Sequence, residues 1–367
     1  MIPVYKPYLP KQSLEYAHDA INSTWISSHG KYLSLVKDKL KEITESKFIV
    51  LTNNGTSATH LLAIVLKHKY PEIKNLIVPS NVYVAAWNMF LSNPRYNLIP
   101  IDSDINTWNY SEKELEKSYQ QYFENTACLI VPNIGNIVDV PKLQDKFPNW
   151  VFIEDNCEGF LGRYSDKKRS GTASSASSVS FFGNKTITSG EGGVFCTNDE
   201  ELFEYANSAH AHFITKEKFI FSDLGYNYRM TNIQAAILYG QLEILDDILH
   251  KKIKLFDTYK EELANINKID FQKTEEGTSH SHWMFGIRIK DSSKEKVDKL
   301  KLHLYQNDID TRPMFPPIGL HGHLRKFDGM FPTSEELYNT GLILPSYPEL
   351  SKSEIQYIAK TLKKFLQ

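Results

Sequence analysis

The first two-thirds of the chain alternate short apolar runs with segments whose apolar residues recur at helical spacing. This alternation is typical of a mostly parallel sheet whose strands are joined by covering helices. The apolar runs predict strands at residues 48–51, 75–79, 98–101, 128–131, 151–153, 175–182 and 194–197. The helical spacing predicts helices over residues 57–68 and 82–91. The expected fold class is therefore α/β.

The last third of the chain mixes helical patterns with fewer strands. A long helix is predicted over residues 232–259, followed by a strand at 283–289 and helices at 294–305 and 352–366. A chain of 367 residues is too long for one ordinary core. We therefore predict a large domain of residues 1–245 and a smaller C-terminal α/β domain of residues 246–367.

Composition and charge narrow the class of partner. With 41% hydrophobic and 12% aromatic residues, the chain can bury a substantial core. Its 42 basic and 44 acidic side chains give a net charge of -2. A protein that binds nucleic acid or a membrane surface would carry a basic excess, so neither partner is expected. A small anionic ligand in a local pocket remains compatible with this balance.

The cysteines and the N-terminus favour a reducing compartment. Cys128, Cys157 and Cys196 are isolated, which indicates neither a disulfide framework nor a thiolate zinc site. Cys157 is expected to be a buried structural thiol. The N-terminus lacks an apolar run, and no apolar stretch approaches the roughly 20 residues that span a bilayer. We therefore expect a soluble, cytoplasmic protein.

Two pairs of histidines at alternate positions resemble metal ligands. These are His280 with His282 and His321 with His323. Neither pair has the neighbouring cysteine or carboxylate that would complete a tetrahedral set. The sequence therefore predicts no metal site.

A candidate phosphate seat follows the first predicted strand. Asn54, Gly55, Thr56 and Ser57 lie where the strand turns into a helix. Glycine permits a close backbone approach to a ligand, and a helix N-terminus offers unpaired amides and partial positive charge. The same residues would also make a good turn and helix cap, so the motif alone is weak evidence.

Two further residues could form a reactive site with this seat. Asp155 stands at the end of the predicted strand that begins at Val151. Ligands of open α/β sheets gather at the carboxyl ends of strands. A buried carboxylate there could keep a pyridine nitrogen protonated, although it could equally cap the next segment. Lys185 follows an apolar strand, where partial desolvation would make its amine nucleophilic. The alternative is an ordinary solvated loop lysine.

The order of these three features is that of one pyridoxal-phosphate site. The acid lies about 100 residues after the seat and the lysine about 30 residues after the acid. In this order the sequence resembles the fold-type-I aminotransferases, and most closely the DegT/DnrJ/EryC1/StrS sugar aminotransferases, nearly end to end. The matching stretches are residues 23–28 with Gly30, 54–58, Glu154 and Asp155 with Glu158 and Gly162, 184–193, and 225–231.

The resemblance implies a large domain with a mixed, mostly parallel sheet, and it implies the cofactor pyridoxal 5'-phosphate with pyridoxamine 5'-phosphate as its intermediate form. Lys185 would bind the cofactor covalently, and Asp155 would pair with its ring nitrogen. The other implied contacts are Gly55, Thr56, Ser57 and Ser180 at the phosphate, Tyr83 on the ring face, Glu158 near the phenolic oxygen, and Asn227. Asn227 would reach the cofactor phosphate of a neighbouring subunit, which implies a homodimer with shared active sites. Dehydratase variants of the family have histidine in place of the lysine that is present here.

Within the family, residues 2–7, 23–28 and 311–315 resemble the enzymes of viosamine and perosamine synthesis. The implied reaction transfers an amino group from glutamate to carbon 4 of a nucleotide-linked 4-keto-6-deoxyhexose. Trp25, Arg229 and Arg312 are the expected substrate contacts, and a guanidinium suits a diphosphate. Either arginine could instead be a structural ion-pair partner. Amination at carbon 3 and a non-catalytic regulator of the same fold remain the alternatives.

Overall fold

A computed structural model describes residues 1–92 and 95–367. The strands of the described residues are β1 Phe48–Thr52, β2 Asn75–Pro79, β3 Asn97–Ile101, β4 Thr126–Ile130, β5 Val151–Asp155, β6 Ser177–Ser180, β7 Gly193–Thr197, β8 Ile269–Phe271, β9 Phe285–Ile289, β10 Arg312–Pro313 and β11 Gly341–Leu344. The α-helices are α1 Lys11–Asn22, α2 Lys31–Thr44, α3 Gly55–Lys69, α4 Ala85–Asn88, α5 Glu112–Gln121, α6 Val140–Lys146, α7 Glu200–Ala209, α8 Asn232–Leu242, α9 Leu245–Leu263, α10 Lys294–Gln306, α11 Pro332–Thr340 and α12 Lys352–Leu366.

The first seven strands form a mixed sheet in the order β1-β7-β6-β5-β4-β2-β3. Strands β2 to β6 are parallel to one another, whereas β7 runs antiparallel to both β6 and β1. Because β1 is antiparallel to β7, it points the same way as β6. The sequence prediction of a mostly parallel α/β sheet is confirmed.

Helices cover both faces of this sheet, because alternate side chains of each strand point to opposite faces. In β4, Ala127 and Leu129 face a core with α3 and α7, while Cys128 and Ile130 face a core with α5 and α6. Helix α3 is buried on almost all sides, which agrees with its largely apolar sequence.

The last four strands form a separate antiparallel sheet in the order β10-β11-β9-β8. Its core is shared with α9, α10 and α12. The N-terminus lies beside this sheet, since Ile2 pairs with Ile309 and the Ser346 amide donates to the Val4 carbonyl at 3.0 Å. The domain boundary at residue 245 remains a prediction.

Two predicted helices differ from the structure. The helix expected over residues 82–91 is reduced to four α-helical residues, because most of its backbone bonds join residues three apart, as from Trp87 to Val84 and from Phe90 to Trp87. The helix expected over residues 232–259 is two helices. Ile244, with φ -117° and ψ 24°, interrupts it between α8 and α9.

The other predicted elements agree within a few residues. The strand expected over 175–182 is shorter, and helix α3 begins two residues before the expected start. None of the helices in residues 1–92 and 95–367 is both long enough and apolar enough to cross a bilayer.

The packing of α1 on α8 generates a test of the fold. A Cβ added at Gly240 in α8 would lie 2.4 Å from the Ser13 backbone nitrogen in α1. We expect Gly240→Ala to lower the free energy of unfolding by about 1–2 kcal/mol, because overpacking outweighs the helix propensity gained from alanine. Urea denaturation would measure it. Gly322→Ala is the control, since a Cβ there meets no atom within 4 Å; unchanged or increased stability of Gly240→Ala would contradict the close helix contact.

Candidate active site

The predicted site residues follow the carboxyl ends of strands that lie side by side. Strands β1, β2, β5 and β6 point the same way, so their carboxyl ends meet at one edge of the sheet. Gly55 follows β1, Tyr83 follows β2, Asp155 ends β5, and Ser180 ends β6. This is the edge at which open α/β sheets bind ligands.

The turn from β1 into α3 packs directly on the end of β6. The Asn54 side chain caps α3 by accepting a hydrogen bond from the Ser57 amide at 2.8 Å. A Cβ at Gly55 would lie 2.5 Å from the Ser180 Cβ. Only glycine permits this approach, which brings the helix N-terminus beside β6. The first amides of α3 have no helical acceptor, and they provide a seat for an anion.

Asp155 is held by two donors. Its carboxylate accepts from the Thr59 hydroxyl at 3.2 Å and from the Cys157 amide at 3.2 Å. The Thr59 hydroxyl also lies 3.0 Å from that of Ser178, so the second turn of α3 and strand β6 together orient the acid. The Asp155 side chain is 6% exposed. A buried carboxylate in this fixed position can pair with a protonated ring nitrogen.

Lys185 lies on the loop between β6 and β7 and faces Trp283 from the C-terminal part of the chain. The Lys185 Nζ is 3.7 Å from the centre of the indole ring, which is a cation–π contact. The indole Nε1 donates to the Asn184 carbonyl at 2.8 Å. The Tyr5 hydroxyl donates to the Lys185 carbonyl at 2.6 Å. Two aromatic side chains from distant segments thus hold this loop.

Glu158 is a buried carboxyl group close to Lys185. Its Oε2 accepts a hydrogen bond from the Ile134 amide at 2.8 Å. Burial raises the pKa of Glu158 from 4.5 to about 7, against the opposing effects of Lys185 and the Ile134 amide. Ile134 has φ 45° and ψ 22°, a costly backbone conformation for a β-branched residue. This conformation accompanies the amide contact with Glu158.

A cavity of about 650 Å³ brings most of the predicted residues together. The predicted residues on its wall are Gly55, Thr56, Tyr83, Asp155, Glu158, Ser180, Lys185 and Arg312. Its volume is in the range of small-molecule and cofactor sites. Tyr83 is 59% exposed, and its ring centre is 6.2 Å from that of Phe315.

Four predicted residues do not line this cavity. Ser57 is buried in the first turn of α3, and Trp25 is 60% exposed away from the cavity. Asn227 is exposed, and its Oδ1 accepts two hydrogen bonds from the Arg229 guanidinium, each at 3.1 Å. Across the described ranges, Arg229 and Arg312 form no ion pair with an acidic residue.

Several lining residues were not predicted from the sequence. They are Thr59, Val82, Val131, Cys157, Asn184, Glu191, Trp283, Met284, Phe315 and His321. Helical spacing from Gly55 to Thr59 could have indicated that Thr59 faces the seat. No local pattern marks Trp283. The expectation for Cys157 was wrong, because this residue is only partly buried and lies on the cavity wall.

The residues of this cavity fit pyridoxal phosphate. The Gly55 approach leaves the α3 amides and the Ser180 hydroxyl as phosphate partners, and Asp155 offers a charge partner for a ring nitrogen. Asn184 contributes a buried Oδ1 that has no hydrogen-bond partner in the described part of the chain. Within that same part, no cluster of three or more His, Cys, Asp or Glu side chains could hold a metal ion.

Comparison with known proteins agrees with this geometry. The model of the DegT/DnrJ/EryC1/StrS aminotransferase family matches residues 7–363. The chain is 34% identical to the GDP-perosamine synthase of Escherichia coli O157:H7, over 99% of this chain and 98% of the relative. It is 31% identical to the GDP-perosamine synthase of Vibrio cholerae, over 100% and 99% of the two chains.

Solved structures share the fold. Helicobacter pylori PseC, an aminotransferase involved in the biosynthesis of pseudoaminic acid, matches with a TM-score of 0.89 and 23% identity over 100% of this chain and 99% of its own. Escherichia coli GDP-4-keto-6-deoxy-D-mannose-3-dehydratase with bound hydrated pyridoxal phosphate matches with a TM-score of 0.91 and 22% identity over 99% of both chains.

These matches confirm the expected enzyme class and cofactor, a pyridoxal-phosphate-dependent sugar aminotransferase that acts on a nucleotide-linked sugar. The chain belongs to the DegT/DnrJ/EryC1/StrS aminotransferase family.

Proposed function

We propose that the protein transfers an amino group from glutamate to carbon 4 of a GDP-linked 4-keto-6-deoxyhexose. The product would be a 4-amino-4,6-dideoxy sugar nucleotide of the perosamine type. The observation that carries this proposal is the full-length similarity to two GDP-perosamine synthases, combined with Lys185 and Asp155 on one cavity. The guanine nucleotide and the carbon-4 position follow the activity named for these relatives, and the amino donor follows the family.

The phosphate end of the cofactor would be held by backbone and hydroxyl groups. The amides of Gly55 and Thr56 begin α3 at the cavity wall, whereas the Ser57 amide already donates to the Asn54 side chain. Ser180 packs against that turn. Asp155 would hold the ring nitrogen in its protonated form, and Tyr83 would cover one face of the ring. When bound, the cofactor supplies an electron sink for the carbon that loses or gains a proton.

Lys185 would be the covalent anchor and the proton carrier. Its Nζ would accept a proton from the carbon that bears the amino group of glutamate. In the second half-reaction Nζ would return a proton to carbon 4 of the sugar. The Trp283 ring holds the lysine side chain against one wall of the cavity, so the amine is positioned before substrate binds.

Glu158 would share a proton near the cofactor. Its pKa of about 7 means that the carboxyl group can be neutral or charged at the pH of the reaction. The Ile134 amide fixes the position of one oxygen, so the other is free to donate or accept a hydrogen bond at the phenolic oxygen of the cofactor.

The remaining contacts concern the substrate and a second subunit. Arg312 is exposed at the cavity wall and suits the diphosphate of the sugar nucleotide. Trp25, Asn227 and Arg229 lie outside the cavity of their own subunit. We propose that they complete the site of a partner subunit in a homodimer, with Asn227 at the cofactor phosphate and Trp25 and Arg229 at the substrate.

The proposed reaction is tested by turnover. Purified protein is mixed with glutamate and a panel of GDP-, dTDP- and UDP-linked 4-keto-6-deoxyhexoses, and products are identified by NMR and mass spectrometry. We expect amination of the GDP-linked sugar of manno configuration at carbon 4. Lys185→Ala should lower turnover by at least about 1,000-fold, because it removes the nucleophile and proton carrier together. Lys113→Ala, an exposed lysine on α5, is the matched control.

The other outcomes separate the alternatives. With 3-keto-6-deoxyhexoses added to the panel, amination at carbon 3 alone would overturn the carbon-4 proposal. If glutamate causes no change in visible absorbance, it does not convert the bound cofactor to its amine form. That result would overturn the proposal that glutamate is the amino donor. No response to any amino donor would favour a non-catalytic regulator.

Shared active sites predict complementation between two inactive variants. In a dimer of Lys185→Ala with Asn227→Asp, one site would have both mutations and the other neither. The aspartate repels the cofactor phosphate, so each variant alone should be nearly inactive. After subunits are mixed and exchanged, activity should recover to about a quarter of wild type, since half of the dimers are mixed and half of their sites are intact. Activity that stays at the level of the separate variants would contradict a shared site.

The raised pKa of Glu158 predicts a pH dependence of stability. The folded protein holds this proton more tightly than the unfolded chain, so ionisation of Glu158 lowers the free energy of unfolding as pH rises from about 4.5 through about 7. In cofactor-free protein, Glu158→Gln should remove this loss. Its free energy of unfolding relative to that of wild type should therefore increase by about 1–3 kcal/mol from pH 5 to pH 8. Urea denaturation at both pH values measures the difference. Glu124→Gln, on the surface, should leave the slope unchanged; an equal slope in Glu158→Gln would refute the assignment.

A further inference from the structure

A lysine is completely buried in α9, outside the cavity. Lys252 has no exposed surface, and it forms no ion pair with any acidic residue in the described ranges 1–92 and 95–367. Burial lowers the pKa of Lys252 from 10.5 to about 7. An apolar side chain would fill this position without the free-energy cost of burying an amine. The contacts of the amine therefore indicate its role.

The contacts of Lys252 are two carbonyls and one aromatic ring. Its Nζ donates to the Trp283 carbonyl at 2.8 Å and to the Ser346 carbonyl. The same nitrogen lies 5.4 Å from the centre of the Tyr5 ring. Ser346 is in turn bonded to Val4, the neighbour of Tyr5, through its amide. Lys252 therefore joins three segments that are far apart in the sequence.

Two of those segments continue directly to the loop that carries Lys185. Trp283 contacts Lys252 through its carbonyl, while its indole Nε1 donates to Asn184 and its ring faces the Lys185 Nζ at 3.7 Å. Tyr5 contacts Lys252 with its ring, while its hydroxyl donates to the Lys185 carbonyl at 2.6 Å. Each aromatic residue thus bridges the buried lysine and the reactive one.

We propose that Lys252 is a positioning residue for Lys185, acting through Trp283 and Tyr5. A lysine side chain has many rotamers, and its amine must be held near the reacting carbon for an efficient proton transfer. Lys252 fixes the two aromatic residues, and these fix the Lys185 loop and amine. The proposal rests on the proposed role of Lys185 in the reaction.

Hydrogen exchange of cofactor-free protein tests the positioning without any catalytic step. In Lys252→Met the amides of residues 182–190 should exchange at least about tenfold faster, because the loop loses two anchors. Exchange in β4, which is remote from Lys252, should stay as in wild type. The matched control is Lys254→Met, an exposed lysine on the same helix, which should change neither region.

Two measurements that involve the cofactor distinguish a positioning role of Lys252 from a purely structural one. The rate at which Lys185 captures added pyridoxal phosphate, followed by visible absorbance, should fall by about 10- to 100-fold in Lys252→Met. The kcat should fall by a similar factor while KM for the sugar nucleotide stays within about twofold, because Lys252 does not line the substrate cavity.

A second pair of variants reaches the same connection from the other side. Tyr5→Phe combined with Trp283→Phe keeps Lys252 and an aromatic ring at both positions but removes the two hydrogen bonds to the loop. It should accelerate exchange of residues 182–190 in the same way, and unchanged exchange there would overturn the proposal even if Lys252→Met does not fold. Unchanged exchange in either folded variant, or acceleration spread evenly over the whole protein, would overturn the proposal. A wild-type protein inactive on every keto sugar would instead count against the proposed function alone.

Discussion

The close contact between the β1–α3 turn and the end of β6 is the constraint on which the site depends. A side chain at Gly55 would collide with Ser180, so the helix N-terminus reaches β6 only because residue 55 is glycine. A second close contact supports it, since a Cβ at Gly193 would lie 2.5 Å from the Asn54 carbonyl oxygen. The antiparallel strand β7 separates β1 from β6 in the sheet, yet the turn extends over its beginning. The phosphate seat and the Lys185 loop thereby become neighbours.

Much of this arrangement could be predicted because it follows local patterns. Strands with continuous apolar runs, such as β4, were placed within two residues. The turn at Gly55, the acid at the end of β5 and the lysine after β6 are each weak signals alone, but their order along the chain is specific. Parallel strands then put their carboxyl ends on one edge. The helix over residues 82–91 was overestimated, because apolar spacing does not distinguish a sequence of tight turns from an α-helix.

The parts that could not be predicted are contacts between distant segments. Tyr5 contacts the Lys185 loop from near the N-terminus and Trp283 contacts it from about 100 residues downstream, and no local spacing marks either residue as part of the site. The break at Ile244 is equally invisible, since the apolar residues on both sides keep a helical spacing. Such features depend on how the small sheet packs against the large one, and tertiary packing routinely overrides local preference.

Three buried ionisable groups have similar pKa values, but they differ in their access to the cavity. Burial brings the pKa values of Glu154, Glu158 and Lys252 to about 7, so a shifted pKa alone does not identify a reactive group. Glu154 is enclosed by donors, the Tyr164 hydroxyl and the Gly171 amide, and has no route to a ligand. Lys252 is enclosed by carbonyls. Of these three groups, Glu158 alone lines the cavity, and access to the cavity rather than the size of the shift makes it a candidate for proton transfer.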